Sequence, residues 1–419
     1  MPKLGYDALG RLAMDRRQFM GLIAASGAGL ALTAVSGCTT KPENKVPEDH
    51  VSYEQLPNFK KNSLTTETVL NSRRSYHSGF AGSLPDQILS NVLWATGRAP
   101  LVGARRTIYA GLPTAVYRYD PVRHELIQHL AGNHLSISGL AFEVGVISDV
   151  TEDAGIASQF GLLTATAFWA GTGKQPAFCP SASSRNNATS TWNAGAFTFA
   201  NSFGLIGTVS GITTELVAIS SDGSLPNPNM SGQVLLEDAV ANLDYDNRFS
   251  GQDLGIGQIS QIAWASYGNA PHAASNGRAA LTTPSSRGEY DLAGRIYIVQ
   301  SSGTDRYLIR MPGGGATSRD HRLERVMEGD RRPPLRSAAA SLPPTAPVYF
   351  VYCASTIGIA QQLECGFAGA GALLQATSLG LRGYVTTDFS DPERSAIISS
   401  LGIPTGDLPV LIVSAGLPL

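Results

Sequence analysis

The sequence predicts an α+β fold in two related halves, and three observations lead to it. Ile88, Leu89, Val92 and Leu93 recur at helical spacing and run into Trp94-Ala95-Thr96-Gly97-Arg98-Ala99-Pro100. In the second half Ile259, Ile262 and Ala263 lead into Trp264-Ala265-Ser266-Tyr267-Gly268-Asn269-Ala270-Pro271, the same helix with the same exit. A second pair, Gly195 to Gly211 and Gly371 to Thr387, reads each time as a helix packed through small residues, closed by Gly and followed by a strand. Both pairs keep the same order and lie about 170 residues apart, a period that implies two domains and not a solenoid. The strand component lies between them. Thr114 to Tyr119, Leu140 to Val150, Arg295 to Gln300, Val348 to Tyr352 and Pro409 to Ser414 are β-branched or aromatic and bounded by Gly, Pro or Asp.

In chain order, Asp15-Arg16-Arg17-Gln18-Phe19-Met20 precedes a weakly apolar run ending in Val35-Ser36-Gly37-Cys38. Paired arginines before such a run form a twin-arginine export signal, which serves proteins that cross the membrane already folded. The terminal Cys38 matches a lipoprotein cleavage site. The expected partners are the twin-arginine export machinery and a membrane holding the lipid, on the periplasmic or cell-surface side. The run from 20 to 37 is short and rich in Gly, Ala and Ser, which argues against a transmembrane anchor. Residues 39–65 are polar and read as a tether. The two halves are expected at 66–230 and 231–419. Pro85-Asp86 opens the first Trp-bearing helix. The Gly/Ser/Asn-rich stretch from Gly171 to Ala194 reads as a long surface loop or lid, and Gly313-Gly314-Gly315 as a turn.

Composition excludes several classes. With 43% hydrophobic and 15% charged residues the chain is globular, not disordered. A net charge of −2 does not suggest nucleic-acid binding. Beyond Cys38, the cysteines Cys179, Cys353 and Cys365 have no metal-ligand spacing, and a disulfide between Cys353 and Cys365 is left open. No Walker loop, dinucleotide GxGxxG, HExxH or GxSxG motif occurs, and histidines such as His77, His124 and His272 do not cluster with carboxylates, so no metal site is expected.

The chemically informative stretch is Ser72-Arg73-Arg74-Ser75-Tyr76-His77. Two guanidiniums beside a hydroxyl suit a phosphate, through charge-assisted bonds plus a neutral donor. Together with the Trp-bearing helix, with Gly371 to Leu381, Tyr384 to Phe389 and Gly402-Ile403-Pro404, this resembles the nitroreductase superfamily of FMN-dependent oxidoreductases. The segments from Val116 to Leu126 and from Thr283 to Val299 look more like its SagB-type branch.

The resemblance implies an intertwined dimer with FMN between subunits, which two fused nitroreductase-like domains would imitate within one chain as a pseudo-dimer. It implies phosphate binding by Arg73, Arg74, Ser75 and His77, and a loop from the other half at Pro284, Ser285 and Ser286. Ser210 and Gly211, or Thr386 and Thr387, would lie by the flavin ring. No catalytic side chain is expected, since hydride passes between flavin and a small-molecule substrate. The start of the second half, Asp244-Tyr245-Asp246, has carboxylates that would repel a phosphate. The first half offers Ala99-Pro100-Leu101-Val102 where the second has Pro-Ser-Ser. The implication is one flavin per chain. The superfamily's late basic residues have no counterpart after Gly416, which leaves a flavin-less binding or assembly lipoprotein as the rival reading.

Overall fold

The computed structural model describes residues 5–6, 12–13, 53–76, 79–168, 174–180, 182–208, 224–274, 277–285, 288–311 and 313–419. Arg16, Arg17, Cys38, His77, Ser210, Gly211 and Ser286 therefore lie outside the described residues. Residues 1–50 and 51–419 are separate compact units. In the first, β1 (Gly5–Tyr6) pairs antiparallel with β2 (Leu12–Ala13).

The second unit is α+β and contains two antiparallel sheets. One holds β3 (Tyr53–Gln55), β4 (Arg106–Gly111), β5 (Ala115–Asp120), β6 (Glu125–Ala131), β7 (Phe142–Ser148), β8 (Lys174–Pro180) and β9 (Phe199–Thr208), in the order β3-β6-β5-β4-β7-β9-β8. A short hairpin, β10 (Asn269–Ala273) with β11 (Ala279–Leu281), precedes the other sheet. That sheet holds β12 (Ile296–Gln300), β13 (Gly303–Leu308), β14 (Arg322–Glu328), β15 (Val348–Ala354), β16 (Arg382–Thr386) and β17 (Leu408–Gly416), in the order β14-β13-β12-β15-β17-β16. Apart from the extra edge strand β3, the two orders are the same.

The helices follow the same plan. Half one carries α1 (Thr66–Ser72), α2 (Asp86–Arg98), α3 (Thr151–Ala167) and α4 (Ala182–Thr191). Half two carries α5 (Leu236–Ala241), α6 (Ile256–Tyr267), α7 (Arg332–Ala338), α8 (Ile359–Ser378) and α9 (Asp391–Leu401). The helix α2 starts after Pro85 with Asp86 in its first turn and Arg98 in its last, both matched to the helix dipole. Its partner α6 buries Ile259, Ile262, Ala263 and Trp264. Ser390 and Glu393 form a capping box on α9, which ends at Gly402 with φ +68°. No helix among the described residues is long and apolar enough to cross a membrane.

The halves meet through reciprocal contacts. Thr66 N donates to Val234 O at 3.0 Å, and Leu236 N donates to Leu64 O at 3.1 Å, so the entries of α1 and α5 pair as an isologous interface would. The helices α3 and α8 cross at Gly155 and Gly366. A Cβ on Gly366 would meet Glu152 O at 2.3 Å and the Gly155 Cα at 2.9 Å, so only glycine admits this approach. The same anchors recur on each side. Ser90 Oγ lies 2.9 Å from His124 Nε2 and donates to Pro57 O, while Tyr119 lies 2.7 Å from His124 Nδ1. Ser260, His321, Pro226 and Tyr307 repeat that set, with His321 pushed down to about 4 by burial. Asn91 closes a pair of bonds with the Lys60 backbone, and Gln261 does so with the Asn229 backbone.

Three expectations need correction. The stretch expected as tether up to residue 65 joins the fold from Tyr53: β3 pairs with β6, Leu56 is buried, and Phe59 stacks on Trp94 at 4.1 Å. Its polar side chains masked backbone pairing and two apolar anchors. The stretch from Gly171 to Ala194 contains β8 and α4 instead of being a loop, because β8 completes the edge beside β9 and Trp192, directly after α4, is fully buried.

The third concerns the repeat at Gly195 to Gly211. That segment is not helical at its start and becomes β9, whereas Gly371 to Thr387 spans the end of α8 and β16. The true counterpart of α8 is α3, since each follows the matching strand, β15 or β7. Aligned on Gly155 and Gly366, they share Ala157 with Ala368, Leu162 with Leu373, Leu163 with Leu374, Ala165 with Ala376, and Thr166 with Thr377. Small residues mark close packing in either type of element: Gly204 of β9 faces the Phe80 ring, and Gly371 of α8 faces the Ala265 carbonyl.

Candidate functional site

Arg73 caps the C-terminus of α1, and its side chain crosses to half two. Nε donates to Thr282 O at 2.9 Å and Nη2 to Leu281 O at 2.8 Å, while Nη1 donates to Ser75 Oγ at 3.1 Å. The residue is 4% exposed, and burial brings its pKa down to about 10, so it stays charged at neutral pH. Arg73 thus reaches Leu281 and Thr282, which lead into the Pro284-Ser285 loop. The geometry differs from expectation, because the Arg73 guanidinium is engaged by backbone carbonyls and pins β11 to α1.

The loop is held from its other side as well. Thr282 Oγ1 donates to Trp264 O at 3.1 Å, and Thr283 Oγ1 donates to Ser266 O, so the exit of α6 carries the loop start. Tyr290 N donates to Ser285 Oγ at 3.1 Å. The Ser285 hydroxyl also bonds the carboxyl of Glu364, which accepts from Tyr267 Oη and from Leu292 N at 3.3 Å. Burial raises Glu364 to about 7 despite those bonds.

Beside this pinned loop lies concentrated positive charge. Arg319 donates from Nη2 to Pro271 O and His272 O, both at 3.2 Å. The Nε atoms of Arg74 and Arg319 are buried without a hydrogen-bond partner. His272 is pushed down to about 3, by burial first and then by Arg74, Arg73 and Arg319, so it is neutral. Among the described residues none of Arg73, Arg74 and Arg319 has an ion pair. With His272 these arginines form a basic cluster that can hold an anion, since the Nε donors of Arg74 and Arg319 have no partner and no carboxylate pairs with the cluster. Two of its members, His272 and Arg319, escaped the sequence reading: each stands alone in its stretch, and the β10–β11 hairpin brings them together.

The other candidate residues fall elsewhere. Thr386 and Thr387 line a cavity of about 460 Å³ with Val102, Gly103, Ala104 and Asp149 of half one. This cavity lies between the first half's loop after α2 and the end of β16, the counterpart of the arrangement at Ser285. Asp244 pairs with Arg382 at 2.9 Å and Asp246 with Arg248 at 2.6 Å, and Tyr245 stacks on Tyr384 at 5.1 Å. Where half one presents Arg73 and Arg74, half two thus presents carboxylates and a ring. Arg106 and Asp153 form a buried pair at the start of α3, which also braces the backbone carbonyl of Ala99 and the amide of Val102. Cys353 and Cys365 are free and buried.

No protein-family model matches the sequence, and no curated protein matches it. Among solved structures, a presumed nitroreductase from Anabaena variabilis is 12% identical, with 87% of this chain and 93% of that chain covered at a TM-score of 0.54. An FMN-dependent nitroreductase from Clostridium difficile is 14% identical, covering 42% of this chain and 84% of that chain at a TM-score of 0.28. The Escherichia coli microcin synthetase McbBCD complex with truncated pro-MccB17 bound is 15% identical, covering 48% and 77% at a TM-score of 0.31. The Anabaena likeness covers most of the chain, and the chain has a nitroreductase-like fold.

Proposed function

We propose that this chain is an exported, lipid-tethered oxidoreductase that holds one FMN, built from two fused nitroreductase-like domains acting as an internal dimer. The observation that carries the reading is the anion cradle: unpartnered buried Nε atoms on Arg74 and Arg319 beside a loop that Arg73 draws in from the other half. In this reading Arg74, Ser75 and Arg319 hold the phosphate with His77 of the same segment, and Pro284, Ser285 and Ser286 supply its far wall. Arg73 and Glu364 position that wall. Bound FMN would supply hydride transfer to a small-molecule substrate. The matching strand orders and the reciprocal α1 and α5 contacts support descent of both halves from one duplicated unit.

The test is FMN titration of the purified protein, followed by the blue-region absorbance of bound flavin and by fluorescence quenching. Wild type takes up one FMN, and Arg74→Ala and Ser285→Ala weaken uptake at least tenfold. A colourless protein that takes up no FMN at excess supports the rival reading, a flavin-less binding or assembly lipoprotein. One observation favours that rival: each of the three Arg73 nitrogens already donates one hydrogen bond to the protein. Export and tethering rest on Arg16, Arg17 and Cys38. Conversion of both arginines to lysine should retain the protein in the cytoplasm, and Cys38→Ala should release it from the membrane.

A further inference from the structure

We propose that the cavity between the loop at Val102–Ala104 and the end of β16 is a second ligand site, which takes a small organic cation such as a primary amine or guanidinium. Its volume of about 460 Å³ suits a small molecule. The lining contains the carboxylates of Asp149 and Asp388, the hydroxyls of Ser341, Thr386 and Thr387, and Tyr384, with no Lys, Arg or His.

Three features make this more than a pair of surface acids. Thr386 is 6% exposed, and its Oγ1 is buried with no hydrogen-bond partner, which is costly unless a ligand answers it. Asp388 makes no hydrogen bond or ion pair among the described residues, while Ala104 N and Arg105 N, each at 3.2 Å, hold the Asp149 carboxylate in place. The Tyr384 ring, braced by its stack on Tyr245, provides an aromatic wall that favours a cation. Three neighbouring arginines are engaged elsewhere, Arg382 with Asp244, Arg248 with Asp246, and Arg394 with Asp391 at 3.0 Å, and Arg105, whose amide holds Asp149, is exposed to solvent. The cavity is the opposite-half counterpart of the anion cradle with the sign of its charge reversed, so a phosphate-bearing ligand is repelled there.

The experiment is calorimetric titration of the purified full chain with agmatine, which carries both an amine and a guanidinium. The expected result is saturable binding at one site, weakened at least threefold by Asp388→Asn and by Thr386→Val, and at least tenfold by the two together. Asp388 has φ +61°, a conformation that asparagine tolerates, so the exposed Asp388→Asn variant keeps the backbone even if the buried change disturbs folding. The proposal is overturned by absence of saturable binding at millimolar agmatine, or by equal affinity in the variants. Equal binding of the uncharged valeramide, or displacement of agmatine by FMN, overturns it as well.

Discussion

Replacement of Arg73 by methionine keeps an apolar stem of similar length and removes every donor. The carbonyls of Leu281 and Thr282, which accept at 2.8 and 2.9 Å, are then left in a buried position. Each orphaned buried acceptor costs about 1–3 kcal/mol, so the pair costs about 2–6 kcal/mol. Part of this is offset, because the guanidinium is no longer held out of water. Its lowered pKa, about 10, records that strain. A net loss of about 2–4 kcal/mol remains, which at an m-value of about 3 kcal/mol/M shifts the urea midpoint down by about 1 M. Amide hydrogen exchange should show lost protection at Ala279–Leu281, with α9 unaffected. Arg73→Lys should recover about half the loss, since a compact ammonium reaches one carbonyl and not both. A midpoint shift below about 0.2 M with unchanged exchange at β11 would refute the assignment of Arg73 as the pin between the halves.

Other outcomes follow from the same geometry. Gly366→Val should lower stability by about 3 kcal/mol or more in a thermal melt, since its Cβ has no room against the Glu152 carbonyl. Glu364 has a folded pKa of about 7, above the ordinary carboxyl value, so the native state binds the extra proton between about pH 4.5 and 7. Its contribution to stability is therefore lost as pH rises through that window, by about 3 kcal/mol, and Glu364→Gln should flatten the profile there. Asp153→Asn leaves Arg106 buried and unpaired and should cost about 3–5 kcal/mol in urea unfolding. Inorganic phosphate bound at the cradle opposes the arginines that depress His272, so its imidazole pKa, read by NMR, should rise from about 3 as phosphate is added.

Much of the architecture was legible because it is local. The helices ending at Trp94 and Trp264 followed from apolar spacing, and β5, β7, β12, β15 and β17 from β-branched runs between turn residues. The misreadings share one cause. Gly, Ala, Ser and Thr report that something passes close by, without saying whether the passing segment is helix or strand. So β9 resembles the end of α8 in composition, and β8 with α4 reads as a loop. Residues 53–65 read as a tether for the opposite reason: their role lies in backbone pairing and in two apolar side chains among many polar ones.

Taken alone, the residue order showed two similar Trp-bearing helices, one preceded by paired arginines and the other by carboxylates. Only the folded chain decided which wall meets which. It placed Arg73 on the carbonyls of Leu281 and Thr282, gathered Arg319 and His272 at the same spot, and sent Thr386 to the opposite cavity. The reason is physical: backbone carbonyls are chemically alike at every position, so the acceptors that claim a buried guanidinium carry no signature in the side-chain sequence and are chosen by packing.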